Sequence, residues 1–174
     1  MMQAPMIYPI PSPFGLLEAV MSAGRLVQLS FLGQETLGQE QGASTVAPSD
    51  YPPLVAKVYQ QVCDYFKRPH QQWLIDLNMP TASNCQLPGT PLYQQIWREL
   101  QAIPVGETRT YGEVAASVGT GPRIVGNACR TNQFALMIPC HRVVASNGLG
   151  GYYGRSADGL SIKQHLLDWE RRFV

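Results

Sequence analysis

The sequence is poor in charge and in cysteine, and each shortage excludes a class of protein. Charged residues make up 14% of the 174 residues and the formal net charge is +1, which excludes a polycation that coats nucleic acid along its whole length. The four cysteines include no CxxC pair, and no histidine stands at zinc-ligand spacing, so we expect no metal site. With 45% hydrophobic residues, 16 glycines and 14 prolines, the composition indicates a globular protein.

We also expect no secretory leader and no membrane span. Met1–Ile10 has no basic segment and is broken by Gln3 and two prolines. The uncharged stretch Leu77–Trp97 is long enough to cross a bilayer, but its three prolines and many amides are not accepted by hydrocarbon. We therefore expect a protein of the reducing cytoplasm, with free thiols and no membrane association.

Charge is distributed unevenly along the chain. Residues 1–88 contain 4 Lys/Arg and 6 Asp/Glu, whereas residues 89–174 contain 9 and 6, so the two parts carry −2 and +3. An anionic partner is therefore expected to bind the second part.

Short apolar runs separated by turn residues predict antiparallel strands near the start of the chain. The predicted strands are Met6–Ile10, Phe14–Met21, Leu26–Phe31 and, later, Trp73–Leu77. Between them, Gly33–Ser49 has the composition of a loop. The apolar residues from Leu54 to Phe66 follow helical spacing, and Asp50 with two prolines is the predicted helix start. Asn78–Gly89, rich in Pro, Ser and Asn, is the predicted linker.

The second part opens with helix signals. Thr90 precedes Pro91, as a cap and a first helical residue do, and one apolar face extends to Ile103. Thr110 and Glu113 have the spacing of a capping box, which predicts a second, short helix.

A third helix is predicted directly after the turn Gly119–Gly121, beginning at Pro122. Its predicted buried side is formed by Ile124, Val125, Ala128 and Cys129, and its opposite side by Arg123, Asn127 and Arg130. Two short helices across a glycine turn, the second with a basic outer face, are typical of a helix-turn-helix that binds DNA. An ordinary solvated helix face has the same pattern.

The apolar run Phe134–Ile138 leads to Cys140 and His141, a pair of residue types that suits nucleophilic catalysis. A small core cysteine beside a structural histidine is the alternative interpretation. Because adjacent side chains in extended backbone point to opposite sides, we expect a bridging water to carry a proton between them.

Residues Ile138–Val143, which read Ile-Pro-Cys-His-Arg-Val, closely resemble the active-site signature of O6-alkylguanine-DNA alkyltransferases. The flanking segments that share this resemblance are Tyr111–Ala115, Arg123–Gly126, Asn132, Gly148, Tyr153 and Leu160–Glu170. The resemblance covers about residues 88–174. The first part of the chain is similar only in size, strand content and the helix that ends at Phe66.

This resemblance implies an α+β fold of two domains. Residues 1–87 would form an antiparallel sheet with a helix, and residues 88–174 a winged-helix-like domain that contains the helix-turn-helix and the alkyl acceptor. It also implies a reaction without a cofactor, in which the Cys140 thiolate takes the alkyl group from O6 of a flipped guanine, and from O4-alkylthymine as well. Each chain would act once, as a monomer, on double-stranded DNA that carries the alkylated base.

The resemblance assigns roles to individual residues. His141 would accept the thiol proton through water, Glu170 would orient the imidazole, and Tyr111 would hydrogen-bond the purine. Asn132 would connect the recognition helix to the Cys140 loop. The residues implied to bind DNA are Arg123, Asn127, Arg130 and Gly126, with Arg123 inserted into the base stack. The residues implied to form the base pocket are Val143, Tyr153, Gly154, Lys163 and Ala135.

Three features depart from the family pattern. The turn at Gly119–Gly121 is two residues shorter than in well-studied members, Gln133 and Ala135 replace prolines, and three extra residues lengthen the loop near Arg155–Asp158. Two other functions stay open at this point. A cysteine hydrolase would need an oxyanion hole, and a DNA-binding regulator or alkyltransferase-like damage sensor would commonly lack the acceptor cysteine.

Overall fold

The computed structural model describes residues 4–32, 48–69, 89–152 and 157–174. The chain forms two compact units, Met1–Leu87 and Pro88–Val174. Most of the predicted loop Gly33–Ser49, the predicted strand Trp73–Leu77 and all of the predicted linker except Gly89 lie outside the described residues. Within the described ranges, no helix has the length and apolar character needed to cross a membrane.

The first unit contains an antiparallel meander of three strands, β1 (Met6–Ser12), β2 (Gly15–Ser22) and β3 (Arg25–Phe31). Alternate residues of β2 are buried, as in a sheet with one covered face. Ala23 and Gly24 join β2 to β3 with positive φ angles of 48° and 74°, the backbone geometry of a tight hairpin. The first three of the four predicted strands are confirmed.

Helix α1 (Pro53–Lys67) packs against β1 through a buried apolar face. The Tyr51 hydroxyl donates a hydrogen bond to the Pro9 carbonyl and connects the start of the helix to β1. The prediction that Asp50 begins this helix is wrong. Asp50 lies in a separate 3-10 turn, and Pro52 is the cap residue without a side-chain hydrogen bond. Pro53 at the first helical position has no N–H to satisfy, which reduces the need for a side-chain cap.

The second unit is built around helices and one short parallel strand pair. Its elements are α2 (Pro91–Gln101), β4 (Arg109–Thr110), α3 (Tyr111–Ser117), α4 (Pro122–Arg130), β5 (Val143–Val144) and α5 (Ala157–Glu170). Strand β4 pairs with β5, so the start of α3 lies beside the segment that follows Cys140. The Trp97 indole of α2 donates to the Ala128 carbonyl of α4 at 2.9 Å and fixes these helices together.

Local signals determine where the helices begin. The Thr90 hydroxyl accepts the Tyr93 N–H at 3.3 Å, and Thr110 and Glu113 form the predicted capping box. Helices α3 and α4 pack together across the turn at Gly119, where φ is +68°. The predicted α+β fold, with an N-terminal antiparallel sheet and a C-terminal helix-turn-helix, is confirmed.

The predicted buried side of α4 is only half correct. Val125 and Ala128 are fully buried, but Ile124 is 36% exposed and Cys129 is half-buried. A helix of nine residues that packs through one narrow stripe covers only positions three residues apart, so the neighbours of that stripe stay accessible.

Candidate active site

A buried loop after α4 delivers Cys140. All five side chains of Phe134–Ile138 are at most 2% exposed, and the Ile138 N–H closes the loop on the Phe134 carbonyl at 2.9 Å. Leu136 has a φ of 66°, a conformation that a leucine adopts only when its surroundings enforce it. The loop is therefore held in one conformation by its buried side chains, and this positions Cys140, which follows it.

Asn132 connects this loop to Cys140. Its amide nitrogen donates to the Cys140 Sγ at 3.2 Å and to the Ile138 carbonyl at 2.9 Å, and its Oδ1 accepts the Phe134 N–H at 2.9 Å. The structure thus brings Asn132 to the position expected from the resemblance, at the end of α4 and against the thiol.

His141 and Glu170 form a fully buried pair. The His141 Nε2 lies 2.9 Å from the Glu170 Oε1, and both side chains have 0% exposure. An ionised carboxylate only accepts hydrogen bonds, so Nε2 carries the proton and the lone pair of neutral His141 is on Nδ1. Nδ1 is buried and has no hydrogen-bond partner among the described residues. The imidazole is therefore oriented to accept a proton at Nδ1.

Arg142 is a member of this site that the sequence interpretation missed. Its Nη2 donates to the Glu170 Oε1 at 2.7 Å and its Nε to Oε2 at 2.9 Å. The Gly106 N–H donates to the same Oε2 at 3.0 Å. Arg142 follows the Cys-His pair directly, so its place in the motif Ile138–Val143 was the signal in the sequence that could have found it.

Burial and charge set the protonation states of these groups. Burial raises the pKa of the Cys140 thiol, although the Asn132 hydrogen bond and the Lys163 charge act to lower it. Burial lowers the pKa of His141, while Glu170 acts to raise it. Burial alone would raise the pKa of Glu170, but its bonds to His141 and Arg142 hold that pKa well below the ordinary value. The site thus contains a protonated thiol, a neutral imidazole and an ionised carboxylate at neutral pH.

Lys163 is buried beside this group on the inward face of α5. Its Nζ donates to the carbonyls of Val143 and Leu149 at 2.6 Å each and of Gly151 at 3.1 Å. Burial lowers its pKa to about 8, and the Cys140 thiolate would act to raise it. Lys163 therefore fastens the backbone after Cys140 to α5 and places a positive charge near the thiol.

Tyr111 lies against the same backbone. Its hydroxyl donates to the Gly151 carbonyl at 3.4 Å, and its ring centroid is 5.9 Å from the Lys163 Nζ. Gly150 has a φ of +71°, and a Cβ there would lie 2.8 Å from the Tyr111 ring. Burial raises the pKa of Tyr111 to about 12, so the phenol remains a hydrogen-bond donor at neutral pH.

The remaining predicted residues lie in three places. Arg123, Asn127 and Arg130 are exposed on the outer face of α4, and Gly126 on the same helix is half-buried. Val143 and Ala135 are buried near Cys140 in the chain. Tyr153 and Gly154 lie outside the described residues. In the described part of the chain, no group of three or more His, Cys, Asp or Glu side chains is arranged to hold a metal ion.

The chain is similar in sequence to known proteins. Residues 91–172 match the family model described as the DNA-binding domain of 6-O-methylguanine DNA methyltransferase. A methylated-DNA–protein-cysteine methyltransferase of Mycolicibacterium paratuberculosis is 37% identical over 94% of this chain and 90% of that protein. One from Candida albicans is 51% identical, over 47% of this chain and 45% of that protein.

A solved structure is similar over nearly the whole chain. The crystal structure of Mycobacterium tuberculosis OGT in complex with DNA has a TM-score of 0.68 and 30% sequence identity, over 97% of this chain and 94% of that one.

Proposed function

The chain belongs to the methylated-DNA–protein-cysteine methyltransferase family, and from that premise we propose that it repairs DNA by transferring an alkyl group from O6 of guanine to Cys140. The observation that carries this proposal is the arrangement around the thiol. The Asn132 amide lies 3.2 Å from the Cys140 Sγ, and the neighbouring imidazole is bound by Glu170 at 2.9 Å with Nδ1 free to accept a proton.

The reaction balances without a cofactor. His141 takes the thiol proton at Nδ1 through a water, because a thiolate is the nucleophile that displacement at a saturated carbon requires. The S–C bond forms as the C–O6 bond breaks, and the electron pair of that bond stays on O6. Guanine then takes up one proton, with the Tyr111 hydroxyl as the proposed donor, and the proton held by His141 returns through solvent to the Tyr111 oxygen, so that both side chains end neutral. The products are an S-alkylcysteine and an unmodified guanine.

The transfer is irreversible and occurs once per chain. A thioether is a poor leaving group, so water does not displace the sulfur from the saturated carbon. O4-alkylthymine presents an equivalent alkyl ether and is proposed as a second substrate. The chain acts as a monomer in the cytoplasm.

Helix α4 supplies the DNA-binding face. Arg123, Asn127 and Arg130 are exposed along one side of it, and cationic and amide side chains suit the phosphates and the degenerate minor groove. Extrusion of a base costs a few kcal/mol, and a cation inserted in its place offsets part of that cost. Arg123, near the start of α4, is proposed to take this position.

Intact-mass spectrometry tests the proposal directly. Incubation with excess duplex DNA containing O6-methylguanine is expected to add one methyl group to Cys140, with a plateau at one transfer per chain. Cys140→Ser should bind the DNA and gain no mass, because an alcohol is far less acidic than a thiol. Cys63→Ser, which changes another free cysteine in the first unit, should react like the wild type.

Two outcomes contradict the proposal. A hydrolase would turn over repeatedly with no mass increase, and a damage sensor would bind the DNA with Cys140 unmodified.

A further inference from the structure

Arg142 makes more hydrogen bonds to the Glu170 carboxylate than His141 does. Its side chain is 8% exposed, and it donates to both carboxylate oxygens, at 2.7 Å from Nη2 to Oε1 and at 2.9 Å from Nε to Oε2. Its Nη1 donates to the Ile103 carbonyl at 2.7 Å. The guanidinium is therefore locked in a two-pronged ion pair, the geometry in which an arginine fixes a carboxylate most firmly.

This ion pair decides which group balances the Glu170 charge. An ionised carboxylate in a buried site requires a positive partner, and two groups that bind Glu170 can supply one, His141 and Arg142. A guanidinium is always charged, whereas an imidazole is charged only if it takes up a proton. With Arg142 in place, Glu170 is already neutralised.

We propose that Arg142 is a positioning residue that neutralises Glu170 and thereby keeps His141 unprotonated, so that His141 remains free to take the proton of Cys140. This inference rests on the proposed function, because it concerns how the same thiol is activated.

The proton count shows the consequence. With Arg142, the proton leaves Sγ and enters Nδ1, and no proton is exchanged with solvent. Without the Arg142 charge, His141 takes a proton from solvent to balance Glu170. Nδ1 is then occupied, and the thiol can ionise only by releasing its proton to solvent. Removing the charge of Arg142 should therefore leave His141 protonated over a wider pH range, and a protonated His141 cannot accept the thiol proton.

Among the other groups around His141, Glu170 opposes the effect of Arg142, Lys163 acts in the same direction as Arg142, and the remaining two are neutral. Burial lowers the pKa of His141 most, Glu170 raises it, and the charges of Arg142 and Lys163 lower it. Lys163 is bound to three backbone carbonyls of the segment Val143–Gly151. The Tyr152 ring packs edge-on against the imidazole at 6.5 Å, and the Cys140 thiol is protonated in the resting site.

The test is a titration of His141 in the full chain. Histidine-labelled protein is followed by NMR from pH 5 to 9, with the His141 signal assigned by its loss in His141→Gln. The wild-type imidazole is expected to be neutral at pH 7. In Arg142→Gln its midpoint should rise by at least about one pH unit, because the Arg142 charge that opposes a proton on His141 is gone.

Two further variants separate charge from structure. Arg142→Lys keeps the positive charge without the two-pronged geometry, so its His141 should stay neutral at pH 7. Arg171→Gln makes the same change at an arginine that is 57% exposed and paired with Asp168, and it should leave the His141 midpoint unchanged.

Several results would overturn the proposal. It fails if wild-type His141 is protonated at pH 7, if a folded Arg142→Gln titrates like the wild type, or if Arg142→Lys has a protonated His141. The wild-type and Arg142→Lys titrations decide the matter even if Arg142→Gln does not fold. Because these titrations use no DNA, a folded wild type with neutral His141 that gains no methyl group would contradict the proposed function and leave this inference standing.

Discussion

Replacing Glu170 by glutamine is expected to destabilise the Pro88–Val174 unit by about 3–5 kcal/mol, the cost of removing one partner from a buried ion pair. Glu170 has 0% exposure and accepts hydrogen bonds from His141, Arg142 and the Gly106 N–H. Glutamine has one acceptor oxygen, and its amide group places N–H donors against the donors of Arg142. The guanidinium then remains buried without a counter-ion.

Asp168→Asn is the matched control on the same helix. The Asp168 side chain is 48% exposed and pairs with Arg171 at 3.5 Å, so the same chemical change there should cost at most about 0.5 kcal/mol. Urea unfolding at pH 7, followed through NMR amide signals of α2 and α5, measures the free energy of unfolding of this unit by itself. Equal losses in the two variants would refute the reasoning.

The pH dependence of the Glu170→Gln effect provides a second check. The pKa of Glu170 in the folded state is held below its ordinary value by His141 and Arg142, against the effect of burial. A carboxyl with a lowered folded pKa contributes stability that is fully present above its unfolded pKa of about 4.3 and is lost as pH falls towards the folded pKa. The wild type should therefore exceed Glu170→Gln in stability at pH 7, and the difference should shrink below about pH 4.

Two further predictions concern DNA and the pocket. Arg123→Ala should slow repair of duplex DNA far more than transfer from free O6-benzylguanine, because only the duplex must be unstacked; equal losses in the two rate measurements would mean that Arg123 supports the fold or the pocket. Gly150→Ala should lower both the melting temperature and the transfer rate, because the new Cβ would lie 2.8 Å from the Tyr111 ring at a φ of +71°. An unchanged melting temperature and an unchanged transfer rate would show that the loop moves to accommodate the new Cβ.

Sequence patterns predicted the elements whose causes are local. The capping box of Thr110 and Glu113 and the proline at the start of α4 act within one helical turn, so their residues suffice to place the helix starts. The predictions were wrong where two local signals compete for one helix start, and where tertiary packing determines which residues are buried. The helix predicted to begin at Asp50 begins at Pro53 instead, with Pro52 as its cap residue. Ile124 is exposed because the tertiary contacts of α4 bury a narrower stripe of the helix than its apolar residues predict.

The site residues also divide into those that the sequence predicted and one whose contacts it could not predict. Cys140 and His141 are adjacent in a recognisable motif, and the resemblance supplied Asn132 and Glu170 as their partners. Arg142 is in that motif too, but its contact with Glu170 spans 28 residues and its bond to Ile103 spans 39. Periodicity and spacing describe neighbours within an element, and they contain no rule for which buried charge meets which across the fold.

The buried charges of the second unit are best understood together. His141, Arg142, Lys163 and Glu170 are its buried polar and charged side chains among the described residues, and such groups destabilise a core unless each is paired. Arg142 and Glu170 cancel each other, which leaves the charge of Lys163 as the net charge of the group. Lys163 acts to lower the pKa of Cys140, and a thiolate at Cys140 would act to raise the pKa of Lys163. The uncompensated positive charge thus lies where the reaction creates a negative one, so Lys163 offsets part of the effect of burial, which favours the thiol.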